Sequence, residues 1–347
     1  MKSHSHSIQR FSSPTRALRT LSLGVLTLLA ISGAGLAGSD AEGKKPAEQG
    51  VKILPAKQYE ATALSIPGQL PVEEGGWTEL LGVNDKGTLV GGFATQPSET
   101  EFLLQSGFIL ADERLTVVNV PGAPVTGIIG VNNREDVVGY YLLDDLTRLH
   151  SYTRTKHGVI VTLPDAAVGE FSFTQASSIN GAGVVVGTCG SELEPIRAFV
   201  YRNGEYTYFE HPGAVETWFW GLNDHGDVSG FWLGSTGSYQ GFVLTRNGEI
   251  LPVLPPVPGA YRVLTRPIND RGEVYGTYRT DDTSEGGFEF IMDVFKGTFT
   301  PIVKSPEDGL AVIGGMNNRG TVVGVGTDLA TGLLSRPVRK PVRTRGH

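Results

Sequence analysis

The sequence has 347 residues, a net charge of −7, 47 glycines and 20 prolines. Its glycine content is roughly twice the usual ~7%, yet 39% of the residues are hydrophobic and no Gly-X-Y period occurs. This composition excludes collagen and a wholly disordered chain, and it is typical of many short strands joined by tight turns.

The N-terminal segment is typical of an export signal. Residues 1–20 carry four basic residues and no acidic one, residues 21–31 are mostly apolar, and small residues follow. This layout predicts a secretory signal peptide over 1–37, cleaved near Ala37 or, as second choice, near Ala41. The apolar core is short for a membrane-spanning helix. A retained anchor stays the alternative, and no later segment is apolar enough to span a membrane.

The charge balance narrows the class of partner. Removal of 1–37 takes away four basic and no acidic residues, which leaves 25 basic against 36 acidic residues and a net charge of −11. An acidic chain of this kind argues against nucleic acid as a partner. Because Cys189 is the only cysteine, no disulfide framework is possible within the chain. We expect a secreted monomer, periplasmic or extracellular, without a stable membrane span.

An internal repeat is the dominant signal. The pattern apolar-Asn-Asp/Asn-x-Gly-x-Val-x-Gly recurs six times with minor departures, over 82–93, 130–141, 178–189, 221–232, 267–278 and 315–326. The repeated asparagines, spaced 43 to 48 residues apart, are Asn84, Asn132, Asn180, Asn223, Asn269 and Asn317. A period of this size is typical of stacked supersecondary units.

The motif has the chemistry of a strand-connecting turn. Asparagine at the first position of a type I turn can bond the backbone two residues on. Glycine three residues later accepts the left-handed conformation of a bulged three-residue hairpin loop. Glu135 stands at that glycine position in the second copy, where we expect strain. The asparagines are therefore predicted to brace the fold rather than to bind a ligand.

Two further strands follow each motif hairpin, so each period contains four strands. Segment 59–68 reads as a fourth strand without its sheet, and segment 332–339 reads as a third strand without its successor. Together they complete a sixth sheet. The sequence thus predicts an all-β fold, a six-bladed β-propeller of four-stranded antiparallel blades over 57–339, closed by pairing of the N- and C-terminal strands. A parallel β-solenoid is the alternative.

Two segments flank the predicted propeller. Residues 38–56 are predicted to be a flexible linker. Residues 340–347 form a basic tail, which is either a frayed terminus or a contact with an anionic surface.

The repeats resemble those of a known family. Asn-Asp-x-Gly-x-Val-Val-Gly, then Gly/Ala-Phe in the third strand, then a strand ending Val-Pro-Gly-Ala is similar to the HAF repeats of bacterial secreted proteins. The resemblance covers nearly all of 57–339, although the His-Ala-Phe triplet is present only in part, as Arg197, Ala198 and Phe199. It implies a secreted bacterial propeller-like protein, and it transfers no catalytic residue.

Candidate binding residues come from the links between blades, where the copies differ most. Counted from the repeated asparagine, position −7 and position −5 carry aromatic, acidic and basic side chains, a combination that suits a sugar or peptide site. The predicted binding residues are Trp77, Glu79, Phe173, Glu216, Trp218, Tyr261 and Arg262. Inter-blade packing is the alternative interpretation for each aromatic residue.

Metal and catalytic signals are weak. The links between second and third strands are acidic, which fits either solvated carboxylates or a Ca²⁺ site, but no Asp-x-Asp-x-Asp-Gly loop is present. No nucleophile elbow, His-Glu-x-x-His pair, phosphate loop or Cys-x-x-Cys occurs, and no cofactor is predicted. Glu79 and Glu216 could form an acid/base pair across the channel mouth, as glycoside cleavage needs.

Three functions remain open from the sequence. The first is a secreted binding module that recognises a glycan or a protein on the face of the inter-blade links. The second is a carbohydrate-active enzyme, a glycoside hydrolase or polysaccharide lyase, using channel carboxylates. The third is a purely structural envelope component. The repeat and its aromatic links favour the first.

Overall fold

The computed structural model of the chain describes residues 51–71, 76–97, 103–143, 147–167, 169, 172–280, 287–303, 310–326 and 331–338. The predicted signal peptide (1–37), most of the predicted linker (38–56) and the basic tail (340–347) lie outside these residues.

All regular structure in the described part of the chain is β-strand. The strands are β1 (Lys52–Ile53), β2 (Lys57–Leu64), β3 (Thr78–Val83), β4 (Leu89–Pro97), β5 (Leu103–Ala111), β6 (Arg114–Val118), β7 (Val125–Val131), β8 (Val137–Leu142), β9 (Leu149–Arg154), β10 (Ile160–Thr162), β11 (Phe173–Ile179), β12 (Val185–Gly190), β13 (Arg197–Arg202), β14 (Glu205–Phe209), β15 (Ala214–Leu222), β16 (Val228–Gly234), β17 (Tyr239–Leu244), β18 (Ile250–Val253), β19 (Tyr261–Ile268), β20 (Glu273–Arg279), β21 (Phe288–Asp293), β22 (Thr298–Val303), β23 (Leu310–Met316), β24 (Val322–Gly326) and β25 (Gly332–Pro337).

Each repeated motif forms the predicted hairpin turn. In the first copy the backbone N–H of Gly87 donates to the carbonyl of Asn84, and the N–H of Asn84 donates to the carbonyl of Thr88. The same pair of bonds recurs in the other five copies. Gly87 has a φ of +94°, and Glu135, which replaces glycine in the second copy, is held at +70°. The expected strain at Glu135 is confirmed, because a non-glycine residue rarely adopts this region.

Antiparallel pairing groups consecutive strands into four-stranded units. The units are β3–β6, β7–β10, β11–β14, β15–β18, β19–β22 and, across the chain ends, β23–β24–β25–β2. In the last unit β2 pairs with β25 from Tyr59 opposite Pro337 to Leu64 opposite Gly332. The hydroxyl of Tyr59 also donates to the carbonyl of Gly320 at 3.0 Å. The predicted pairing of the two chain ends is therefore confirmed.

The repeated asparagines form a ring of hydrogen bonds. Each Oδ1 accepts the backbone N–H groups two and four residues on, as at Lys86 and Thr88 for Asn84. Five of the six Nδ2 groups donate to the asparagine carbonyl of the next copy, at 2.9 to 3.4 Å. The bond from Asn317 to Asn84 joins the last copy to the first across 233 residues. The prediction that these side chains brace the fold is confirmed.

The next residue in each copy builds a second ring. The backbone N–H of Asn318 donates to Oδ1 of Asp85, and the N–H of Asp85 donates to Oδ1 of Asn133. The third copy has Gly181 at this position, so it offers no side-chain acceptor to Asn133. A Cβ added at Gly181 would lie 3.1 Å from Oδ1 of Asp224, a tight approach that requires the Asp224 side chain to shift by a few tenths of an ångström.

The first strand of each unit approaches its neighbours closely. A Cβ at Gly82 would lie 2.7 Å from the carbonyl oxygen of Ile129, and one at Gly221 would lie 2.7 Å from that of Arg266. Only glycine allows backbones to pass at this distance. The first strands therefore surround a common axis. We call the side with the asparagine turns the asparagine face and the opposite side, where one unit connects to the next, the link face.

The C-terminal end of the predicted linker (38–56) is not free, because it pairs with a strand of the fold. Lys52 and Ile53, which fall in the predicted linker, pair in parallel with Thr298 and Phe299 of β22. Residues Lys57 and Gln58 continue along the same strand before the chain crosses to β25. The segment therefore connects the edge of the fifth unit to the last one.

Candidate binding site at the link end of the axis

A buried cluster occupies the axis and draws residues from many units. Its members include Leu81, Ile129, Tyr140, Trp218 and Trp220 from the first, second and fourth units, with Val325 from the last. The first strands reach this cluster through irregular pairing, since each shifts register just before its asparagine. A β-bulge changes the direction of the neighbouring side chains. Here the bulges turn bulky side chains towards the axis.

Trp220 and Arg266 bridge the axis to the last unit. The indole Nε1 of Trp220 donates to the carbonyl of Gly314 at 3.0 Å, and the guanidinium of Arg266 donates to that of Ile313 at 3.2 Å. The Arg266 guanidinium lies 4.7 Å from the centre of the Trp220 ring. Burial lowers the pKa of Arg266 to about 10. A cavity of about 90 Å³ lies along the axis, on the side of Trp220 and Arg266 that faces the asparagine turns.

Polar groups of the first and second units meet on the link side of that pair. Gln105 Nε2 donates to the hydroxyl of Tyr140 at 2.8 Å. The Tyr140 ring occupies the space beside Gly127, where an added Cβ would lie 2.5 Å away. Burial raises the pKa of Tyr140, and the nearby carboxyl of Glu79 raises it further. Glu79, Gln105 and Tyr140 thus form one buried group.

Glu79 is enclosed. Its exposed fraction is 2%, and burial raises the pKa of its carboxyl well above the usual range. Its Oε2 has no hydrogen-bond partner in the described part of the protein. Desolvation disfavours the charged form of a carboxyl, so burial favours the protonated form of Glu79.

Trp218 connects this group to the fourth unit. Its ring stacks on Phe173 with centres 6.3 Å apart and on Phe231 with centres 5.9 Å apart. Gln175 occupies position −5 of the third copy, as Trp218 does in the fourth, and both side chains are buried. Phe173 and Glu216, two residues earlier in their strands, stay partly exposed.

Glu216 and Arg262 are closer to solvent than the buried group described above. Burial raises the pKa of Glu216, and the Trp218 side chain lowers it by a smaller amount. Arg262 follows Tyr261 at a register shift in β19 and has a φ of +49°. Its guanidinium lies 6.0 Å from the centre of the Tyr239 ring, a partner within cation–π range. A non-glycine residue held in this conformation indicates local strain, which concentrates at functional positions.

The seven predicted residues therefore separate into two layers. Trp77, Glu79 and Trp218 are buried. Glu79 and Trp218 form a floor with Gln105, Tyr140 and Gln175, and Trp77 adjoins it beside Gln105 while packing on Leu70 and Ala94. Phe173, Glu216, Tyr261 and Arg262 are half-buried, and they form the rim. For Trp77, Glu79 and Trp218 the expectation of open ligand-facing side chains differs from the observed burial.

Sequence reasoning missed Gln105, Tyr140 and Arg266. Gln105 lies on a third strand and Tyr140 on a second strand, and neither position was expected at the axis. The absence of a side chain at Gly127 is the signal that could have placed Tyr140 there. Arg266 occupies position −3 of its copy, as Trp220 does in the fourth copy.

Other predicted features fall outside the site or outside the described residues. Among the acidic link residues, those not described are Glu73, Glu74, Glu99, Glu101, Asp144, Asp145, Glu170, Asp281, Asp282 and Glu285. Within the described ranges, no three His, Cys, Asp or Glu side chains cluster in a way that could hold a metal.

No helix long and apolar enough to cross a membrane occurs in the same residues.

Comparisons with known proteins identify the fold. No protein-family model and no curated protein matches the chain. A proposed TolB from Agrobacterium tumefaciens is similar with a TM-score of 0.50 at 12% identity, over 76% of this chain and 91% of that one. This likeness shows a β-propeller fold and nothing further.

Two other structures show weaker likeness, below the level that supports an argument. TolB from Acinetobacter baumannii is 12% identical with a TM-score of 0.46, over 76% of this chain, which spans 64% of that protein's length. A fucose-specific lectin from Aleuria aurantia is 10% identical with a TM-score of 0.43, over 80% of this chain and all of that one.

Proposed function

We propose that this protein is a secreted binding module, a six-bladed β-propeller that recognises a glycan or a protein at the link end of its axis. One observation carries the proposal. Aromatic and polar side chains predicted from separate repeats assemble into a floor and a rim around one point of the axis.

Three features support six blades. The strand pairings supply six four-stranded units, the hydrogen-bonded asparagines form a ring, and β2 completes the last unit beside β25. Closure of this kind protects the sheet edges and fixes the link-face residues relative to one another. A rigid frame with variable links suits recognition.

Export and family are part of the same proposal. The basic, apolar and small-residue segments over 1–37 support a signal peptide. The repeat pattern supports a relation to the HAF-repeat proteins, and the acidic balance of the remaining chain supports a partner other than nucleic acid.

Binding is favoured over catalysis by the state of the carboxyl groups. Glu79 is enclosed and its burial favours the neutral form, which makes it a poor ionised partner for Glu216. A carbohydrate-active enzyme is the second candidate, because burial raises the pKa of both carboxyls, as a general acid requires. Turnover of a polysaccharide panel that Glu216→Gln abolishes would establish it.

The rim offers the cleanest test of binding. The purified protein is applied to a glycan array and to immobilised envelope proteins, and Glu216→Ala and Arg262→Ala are compared with wild type. Matched controls are Glu205→Ala and Arg202→Ala, exposed residues of the β13–β14 turn. We expect a ligand whose binding falls at least tenfold in both rim variants and in neither control. Binding that is equal in all five proteins would refute the site.

A further inference from the structure

Buried polar atoms without partners are concentrated at the floor of the proposed site. Among the described residues, seven buried side-chain nitrogen or oxygen atoms lack a hydrogen-bond partner. Four of these belong to the link end of the axis, Trp77 Nε1, Glu79 Oε2, Gln105 Oε1 and Gln175 Nε2, and a fifth, Trp218 Nε1, faces the carboxyl of Glu216. Folded proteins pair nearly all buried polar groups, so this concentration points to a site that binds polar groups.

The five residues border one region. Glu79, Gln175 and Trp218 occupy position −5 in three different first strands, so they share a level of the axis. Gln105 and Trp77 flank Gly92, where an added Cβ would lie 2.7 Å from Gln105 Nε2 and 3.7 Å from Trp77 Cζ3. All five side chains are at most 4% exposed.

The chemistry of the atoms selects the class of guest. Both indole N–H groups and the Gln175 amide are donors, whereas Gln105 Oε1 and Glu79 Oε2 offer acceptor capacity. A simple cation would leave the donors unpaired, and a simple anion would leave the acceptors unpaired. A hydroxyl group both donates and accepts, and the faces of a sugar ring pack against indole.

We propose that the floor binds one neutral saccharide unit, the terminal pyranose of a glycan that enters from the link face. This inference rests on the proposed function and names the ligand class of the same site. The buried carboxyl of Glu79 suits an uncharged guest, because a protonated carboxyl can donate to one hydroxyl and accept from another. The exposed parts of Phe173 and Glu216 lie where the next sugar unit would leave the floor.

The test uses small probes that can occupy the floor alone. Saturation-transfer NMR and calorimetry are run on the purified protein with the methyl glycosides of glucose, galactose, mannose, fucose and N-acetylglucosamine. Tetramethylammonium and inorganic phosphate serve as charged comparators. The variants are Gln175→Met and Trp218→Phe, which remove a donor and keep most of the side-chain volume. Gln58→Met, an exposed residue of β2, is the matched control.

We expect at least one glycoside to bind saturably and to lose at least tenfold affinity in Gln175→Met and Trp218→Phe, with Gln58→Met unchanged. Gln175→Met should melt no lower than wild type, because it removes an unpaired buried amide. Trp218→Phe keeps the inference testable if Gln175→Met fails to fold.

The remaining outcomes overturn the inference. Binding of a larger partner that needs Glu216 and Arg262 but tolerates Gln175→Met would leave the proposed function standing and assign the floor to water. Preference for tetramethylammonium or phosphate would reject a neutral guest. Failure of every glycoside to bind would also reject it, whatever the rim variants do.

Discussion

Replacing Asn317 by alanine tests the asparagine ring at the point where the chain closes on itself. The side chain accepts the backbone N–H groups of Arg319 and Thr321, each at 3.0 Å, and donates to the carbonyl of Asn84 at 3.0 Å. An unpaired buried backbone group costs about 1–3 kcal/mol. Two of the three bonds are only partly buried, so we expect a loss of about 3–5 kcal/mol.

The assay is equilibrium unfolding in urea together with calorimetric melting. For a domain of this size the loss corresponds to a fall in Tm of roughly 6–15 °C. Asn317→Asp separates the two roles, since its carboxylate still accepts the turn bonds but cannot donate to Asn84, and we expect an intermediate loss. Asn247→Ala, in an exposed turn between β17 and β18, should change stability by less than about 0.5 kcal/mol. If Asn317→Ala is no worse than Asn247→Ala, the ring does not hold the fold together.

Three further predictions concern single positions. Glu135→Gly should stabilise the protein by about 0.5–1 kcal/mol, because relief of the positive φ (about 1–2 kcal/mol) outweighs the exposed ion pair with Lys86 (about 0.2–1 kcal/mol). Glu135→Ala loses the ion pair without that relief, and a higher Tm for alanine than for glycine would contradict the reasoning. Gly181→Asn should add about 0.5–1.5 kcal/mol by giving the N–H of Asn133 an acceptor, which urea unfolding measures; a neutral or negative change would show that the gap in the second ring is already filled. Glu79→Gln should stabilise the protein at pH 8 and less so near pH 5. The folded carboxyl keeps its proton while the unfolded one ionises above about its ordinary value of 4.5, so wild-type stability falls by up to ~1.4 kcal/mol per pH unit over that range. A wild-type-to-variant difference that is constant from pH 5 to pH 8 would count against a buried neutral carboxyl.

The fold could be predicted because its determinants are local and repeated. Asn84 and its five equivalents specify a turn through bonds that reach no further than four residues. The same logic predicted the strain at Glu135. Pairing of the chain ends followed from counting strands, since segments 59–68 and 332–339 each lacked one neighbour.

The site could be predicted only in part, because its contacts cross between units. Position −5 singled out Glu79 and Trp218, yet the sequence does not reveal that both side chains are buried. Tyr140 approaches the axis because Gly127 leaves room for its ring. Such a contact depends on the register between two units, which no single segment encodes.

The seam between β2 and β25 has a consequence for how the protein is made. The ribosome makes β2 long before β25, because their paired residues Tyr59 and Pro337 lie far apart in the sequence. Contacts this distant in sequence form slowly, because a long loop must close before they contribute. Until β2 and β25 pair, the last unit is incomplete and both strands have unpaired edges. Unpaired strand edges favour aggregation. A chaperone that shields the newly made polypeptide until its last strand emerges would meet that need.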